Sequence, residues 1–291
     1  PHAVMIAGDV YDKSIPPVEA IDLFDDFLTT LANWNIPVFI ISGNHDSAER
    51  VSFGSNLMKS SGVYFSPAYN GKIESIKLNQ KNEIDEYGPI NVFLMPFLKP
   101  AIVKSFVESE EDYANIQTYT DAISYVVQKM NINKSERNIL VAHQFVTGAT
   151  RCDSEDLSVG GSDNVDVNVF DSFDYVALGH LHGPQKAGRE FVRYCGTPLK
   201  YSFSEVNHKK GVGIVEIEKK GSVIYKSVPL EPLRDMRELK GSYEELTLLK
   251  NYENTKTDDY ISITLTDEND IPQAFGKLQS IYKNLMKLNY D

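Results

Sequence analysis

The chain has 291 residues, of which 42% are hydrophobic and 24% charged, with a formal net charge of −12. That length is enough for a large core in one or two domains, and no apolar run approaches the roughly 18 residues that a membrane span needs. The acidity excludes a generally basic nucleic-acid-binding surface, and the widely spaced Cys152 and Cys195 give no disulfide framework, so reduced thiols and a cytoplasmic setting are expected.

Pro1 stands where Met would open a chain, and the apolar run Ala3 to Ala7 follows almost at once, so a fragment or processed form is expected. That run reads as a buried strand ending at Gly8-Asp9. Pro16-Pro17 set a helix start, and Ile21, Phe24, Leu28 and Leu31 recur at helical spacing up to Asn33. Val38 to Ile41 is a second strand, ending at Gly43-Asn44-His45-Asp46, and the order implies parallel neighbours joined by a right-handed crossover. A short helix is expected around Phe53 to Ser60. Strands follow at Ile73 to Leu78 and Asn91 to Met95, hairpin-like at a sheet edge and separated by the polar loop Asn79 to Pro89.

Tyr119 to Met130 carries Ala122, Ile123, Val126, Val127 and Met130 on one helical face. The strand Asn138 to Ala142 ends at His143. A long loop rich in Gly, Ser and Asp, Thr147 to Asn168, suits a functional surface, and the strand Tyr175 to Leu178 then ends at Gly179-His180-Leu181-His182. Strands at Phe191 to Tyr194, Gly211 to Glu218 and Ser222 to Pro229 look antiparallel, the last two joined at Lys219-Lys220-Gly221. Lys186, Arg189, Arg193, Lys200, Lys209 and Lys210 against only Glu190 and Glu205 make the stretch 186–210 the best candidate phosphate-facing surface.

Beyond Pro229 the composition shifts to a small α/β module. It reads as strand Met236 to Leu239, helix Tyr243 to Leu249, strand Tyr260 to Leu265, helix Gln273 to Lys283 and strand Leu285 to Tyr290. Asp270 and Pro272 would cap and open the second helix. The expected division is 1–228 and 229–291.

Four strand-like runs thus end in Asp9, in Asn44-His45, in His143 and in His180-x-His182, collecting donors at one carboxyl edge of a sheet, where α/β proteins bind ligands. Carboxylate, amide oxygen and imidazole without thiolate suit Mn²⁺, Fe²⁺ or Zn²⁺, with Mn²⁺ favoured by a mixed oxygen and nitrogen set. Two such ions suit phosphate-ester hydrolysis, because attacking and leaving oxygens both need their charge neutralised.

Gly8-Asp9-Val10-Tyr11-Asp12, Gly43-Asn44-His45-Asp46, His143 and Gly179-His180-Leu181-His182 resemble motifs of the calcineurin-like dimetal phosphoesterases, in order and in spacing. Ala142-His143-Gln144-Phe145, Ser158 to Ser162, Gly196 to Glu205 and Asn207 to Gly211 resemble the SbcD-type nuclease subunits within that superfamily, and the likeness extends into the final module, which is similar to their capping domain. The resemblance implies an α/β sandwich of mixed β-sheets flanked by helices. It makes Asp9 a bridging carboxylate, with Asn44, His143 and His180 completing one Mn²⁺ site and His182 on the other. His45, oriented by Asp12, would stabilise the pentavalent phosphorus or protonate the leaving oxygen.

The same resemblance implies 3′-to-5′ exonuclease action on duplex DNA, endonuclease action on single strands or hairpins, a role in DNA repair and recombination, an SbcC-type ATPase partner and a homodimer, with no membrane association. The family's first motif, an Asp-x-His ahead of Gly8-Asp9, has no counterpart in these residues, and His2 cannot replace it. One occupied cation site at most, and weak or absent activity, are therefore expected of the chain as it stands. A phosphoesterase for nucleotides or small diesters, and a non-catalytic DNA- or partner-binding module, are the competing expectations.

Overall fold

The computed structural model describes residues 1–78, 86–152 and 163–291. The motif Ser158 to Ser162 and most of the polar loop after Asn79 lie outside the described residues.

Two sheets form the larger body. Val4–Ala7, Val38–Ile41 and Val63–Phe65 make a parallel three-stranded sheet. A six-stranded sheet runs, edge to edge, Gln185–Ala187, Arg189–Tyr194, Tyr175–Gly179, Arg137–His143, Ile90–Met95, Ser75–Leu78. Its four inner strands are parallel, and Ser75–Leu78 pairs antiparallel at the rim, the expected hairpin-like edge. Arg189–Tyr194, expected among antiparallel strands, runs parallel to Tyr175–Gly179 and antiparallel only to Gln185–Ala187, since an apolar run carries no mark of its neighbour's direction.

Strand alternation decides what faces what. In Val38–Ile41, Val38 and Ile40 pack with Leu28 and Leu31 of the helix Val18–Asn33. Phe39 and Ile41 turn the other way, against Val92, Leu94 and Val141 of the second sheet. On that second sheet Phe93, Met95, Leu140 and Ala142 point outward to Ile123, Val126 and Val127 of the helix Tyr119–Lys129, which opens on a Thr118/Asp121 capping box. The result is helix, sheet, sheet, helix, and the four donor-bearing strand ends belong to two facing sheets. One sheet edge was expected; apolar runs buried on both faces carry no mark of which sheet they join.

The ribbon Gly211–Ile217 and Val223–Pro229 is antiparallel, as expected, and packs Val215, Ile217 and Val223 on Ile139 and Tyr175. Beyond it Met236–Gly241, Tyr260–Leu265 and Asn284–Tyr290 form a parallel sheet with a core of its own around Ile261, Ile263, Leu278 and Leu285. The helix Ala274–Gln279 starts after Gln273, in left-handed backbone at φ 57°, with no side-chain cap, so Asp270 and Pro272 do not open it. Two short helices, Pro100–Lys104 and Glu110–Asn115, escape sequence reasoning because neither is long enough to display a period.

Candidate metal centre

Three loops at the strand ends meet in a space that tolerates no extra atom. A Cβ on Gly179 would lie 1.8 Å from the Ala7 carbonyl oxygen, and one on Gly43 would lie 2.1 Å from Asp9 Oδ1. Asp9 and His180 themselves take positive φ values of 47° and 100°, conformations that cost of order 1–3 kcal/mol each and cluster at functional sites. Asp46 clamps the loops, its carboxylate accepting from the backbone N–H groups of Gly43, Val10 and Tyr11 at 2.8, 3.1 and 3.0 Å.

Inside this frame Asp9, Asn44, His143 and His180 converge. His143 Nδ1 donates to the Ala7 carbonyl at 2.7 Å, so in the neutral ring Nε2 is a lone pair. That lone pair faces Asn44 Oδ1 at 2.9 Å and Asp9 Oδ2 at 3.1 Å. His180 Nδ1 lies 2.9 Å from the same Asn44 oxygen. Acceptors turned on one another in a half-buried site are what a cation resolves, and oxygen-with-imidazole donors fit Mn²⁺ or a similar divalent ion. The ring of Phe97 stacks on His180 and meets His143 edge-on, closing one side with apolar surface.

Burial pushes Asp9 toward a higher pKa, but the hydrogen bond and charge that His143 offers when protonated, with the His45 backbone N–H 3.0 Å from Oδ1, hold it below the usual carboxylate range. Burial and the neighbouring His143 depress His180 to about 4. Such a histidine enters the folded state neutral, whereas the unfolded chain takes up its proton near pH 6.5. Stability is therefore present above that pH and is lost as pH falls through about 4, by up to about 3 kcal/mol. Chelator-treated protein should show this loss in denaturant titrations between pH 7 and 4, and His180→Gln should flatten it; an equal slope in the variant would move the cause elsewhere.

The two imidazoles of Gly179-His180-Leu181-His182 diverge. Leu181 is buried in the core between them, and His182 turns to Glu205, whose Oε1 accepts from Nδ1 at 3.1 Å. Glu205 is fully buried, and its Oε2 meets Lys210 Nζ at 2.5 Å. Lys210 donates further to the His182 carbonyl and to Thr197 Oγ1, both at 2.8 Å. Sequence reasoning gave Glu205 no site role and Lys210 only a place on the candidate phosphate-facing surface; their placement in stretches resembling family motifs was the available signal.

His45 is half-buried beside Asp9, and its Nδ1 bond runs to the main-chain carbonyl of Asp12 at 3.0 Å. The expected orienting contact thus comes from the Asp12 backbone. The cations of 186–210 are largely engaged: Lys186 and Arg193 with Glu190, Arg189 with Asp171, Lys200 with Asp235 and Lys210 with Glu205. No described helix is long and apolar enough to cross a membrane.

Carboxylate, amide and imidazole donors at the carboxyl ends of two facing sheets define the class, and a family model described as calcineurin-like phosphoesterase matches residues 1–184. A second, described as the type 5 capsule protein repressor C-terminal domain, matches 232–291. The SbcD subunit of the nuclease SbcCD from Staphylococcus epidermidis is 33% identical over 99% of this chain and 75% of its own length. Its counterpart from Staphylococcus saprophyticus is 34% identical over 99% of this chain and 74% of its own length. The chain belongs to the calcineurin-like phosphoesterases and, among them, to the SbcD family of nuclease subunits.

Proposed function

We infer that the chain serves a Mn²⁺-dependent DNA nuclease that cuts duplex ends 3′ to 5′ and opens single strands or hairpins, working with an SbcC-type ATPase in repair and recombination in the cytoplasm. The observation that carries this is the convergence of Asp9, Asn44, His143 and His180 with His45 bonded to Asp9 alongside. Those four residues would hold one cation, and Asp9 with His182 would contribute to a second. The nuclease unit would span 1–228 and the capping unit 229–291.

Mn²⁺, when bound, supplies charge neutralisation at the scissile phosphate and Lewis acidity toward water. The chain's own part is to hold and move a proton. Because a carbonyl only accepts, the Asp12 oxygen keeps a proton on His45 Nδ1, and the ring so oriented beside Asp9 would, when protonated, protonate the departing oxygen. With an Asp-x-His motif supplied ahead of Gly8-Asp9, His45→Ala is expected to lower kcat on a labelled duplex about 10²- to 10⁴-fold with Mn²⁺ affinity retained. Asp12→Asn, which keeps the carbonyl, should stay within about threefold by the same proton-holding argument. A large loss in Asp12→Asn would return the orienting role to its carboxylate. Cleavage of a small diester but not of DNA would favour the nucleotide or small-diester reading. The exposed Tyr201, edge-on to His182, supports an open rim suited to a polymer.

A homodimer is supported by apolar surface on two neighbouring elements. The helix Val18–Asn33 exposes Val18, Leu23 and Phe27, and the segment after Val51 exposes Phe53 and Leu57 at 83% and 81%. Phe24 and Val51 pack on one core, which puts the two elements side by side. Phe53→Asp with Leu57→Asp should shift the mass in light scattering from two chains to one; an unchanged mass would place the interface elsewhere.

A further inference from the structure

Cys152 lies beside His182 and Glu205, and one ligand atom from each falls within 4.8 Å of the others. The phosphoesterase donor set has no use for sulfur. Thiolate, imidazole and carboxylate together are the ligands of Zn²⁺ and of Co²⁺ substituted for it, whereas Mn²⁺ favours oxygen. His182 Nδ1 and Glu205 Oε1 stand 3.1 Å apart, near the roughly 3.3 Å edge of a tetrahedral site with bonds of about 2.0–2.1 Å.

Each donor is held from behind. Lys210 fixes the other Glu205 oxygen and the His182 carbonyl. On the Cys152 side, Thr150 exchanges two 2.7 Å hydrogen bonds with the Gln185 side chain. Arg151 pairs with Asp163 at 2.6 Å and lies 3.7 Å over the Phe145 ring. The backbone leading to Cys152 is therefore anchored, and its half-exposed thiol can give a proton to solvent when a cation arrives.

We propose that Cys152, His182 and Glu205 form a site for a thiophilic divalent cation of the zinc class, distinct from the Asp9, Asn44, His143 and His180 centre. Binding shifts the His182 ring proton from Nδ1 to Nε2 and releases the Cys152 thiol proton to solvent, and the cation takes their place. His182 is then shared between this site and the second catalytic position, so the two cannot be filled through it at once; that consequence alone rests on the role proposed above for His182.

Co²⁺ titration of the whole chain reads the site directly. A thiolate-to-cobalt charge-transfer band in the near ultraviolet should appear, saturate with one thiolate-bound Co²⁺ per chain, and be displaced by Zn²⁺. Cys152→Ser should abolish it, Cys195→Ser should keep it, and His182→Ala should weaken Co²⁺ affinity by at least about tenfold. No band in the wild type, a band surviving in Cys152→Ser, or one lost in Cys195→Ser overturns the proposal. The Asp9 centre contains no sulfur, so Mn²⁺ binding followed by electron paramagnetic resonance, and its loss in His143→Ala, tests that centre separately.

Discussion

Gly179→Ala is expected to cost about 4 kcal/mol or more in denaturant unfolding and to abolish binding of a divalent cation at the Asp9 centre, with Mn²⁺ as the probe. The added carbon would sit 1.8 Å from the Ala7 carbonyl oxygen and 2.8 Å from His143 Nδ1. The first atom is backbone in a paired strand and cannot rotate away, so the two sheets must separate at their carboxyl ends. That movement breaks the bond from His143 to Ala7 and turns the Nε2 lone pair from Asp9 and Asn44. Gly276→Ala is the matched control, because a Cβ there meets nothing within 4 Å inside the helix Ala274–Gln279. It should be neutral or stabilising by up to about 1 kcal/mol. If both variants unfold at the wild-type midpoint and bind Mn²⁺ alike, the close approach of the sheets does not shape the centre.

Glu205→Ala should cost about 3–5 kcal/mol, because it strands the ammonium of Lys210, whose side chain is only 5% exposed. The pair is not expected to stabilise the fold beyond what apolar side chains would do. Glu205→Leu combined with Lys210→Met should recover most of the loss, since removing both charges also removes the cost of burying them. The double variant still takes away the acceptor of His182 Nδ1 and the donor to its carbonyl. Stability and the setting of the His182 ring then separate: near wild-type unfolding, with altered His182 ring resonances and weakened Co²⁺ binding. A double variant as unstable as Glu205→Ala would assign the loss to packing and not to the stranded charge.

Much of the centre is legible along the chain. Apolar runs of strand length ending in Asp9, in Asn44-His45, in His143 and in His180-Leu181-His182 announce donors at strand ends. The divergence of the rings in His180-Leu181-His182 is not legible, because alternation would turn both to the side opposite Leu181; they part beyond the strand's end, where His180 takes a φ of 100°. The helix Tyr119–Lys129 and the parallel pairing of Val4–Ala7 with Val38–Ile41 follow from period and connection alone. Other features are not legible. Lys186 to Lys210 reads as a row of cations because their partners Asp171 and Asp235 lie elsewhere in the chain. Asp12 reads as a carboxylate partner for His45 because a sequence displays side chains, and the atom in contact is a main-chain oxygen.

Which residue types stand at the ends of buried strands is written along the chain, since strand length, turn glycines and polar endings are local properties. Only the tertiary structure decided that those ends belong to two sheets and that His180 meets Asn44 across 136 residues of chain. It also decided that His182 turns away to the buried Glu205 and Lys210. The physical reason is that sheet partnership and side-chain direction depend on which apolar faces pack together. Val38 and Ile40 packing on a helix while Phe39 and Ile41 pack on another sheet is a matter of contact in space, to which neighbours along the chain contribute little.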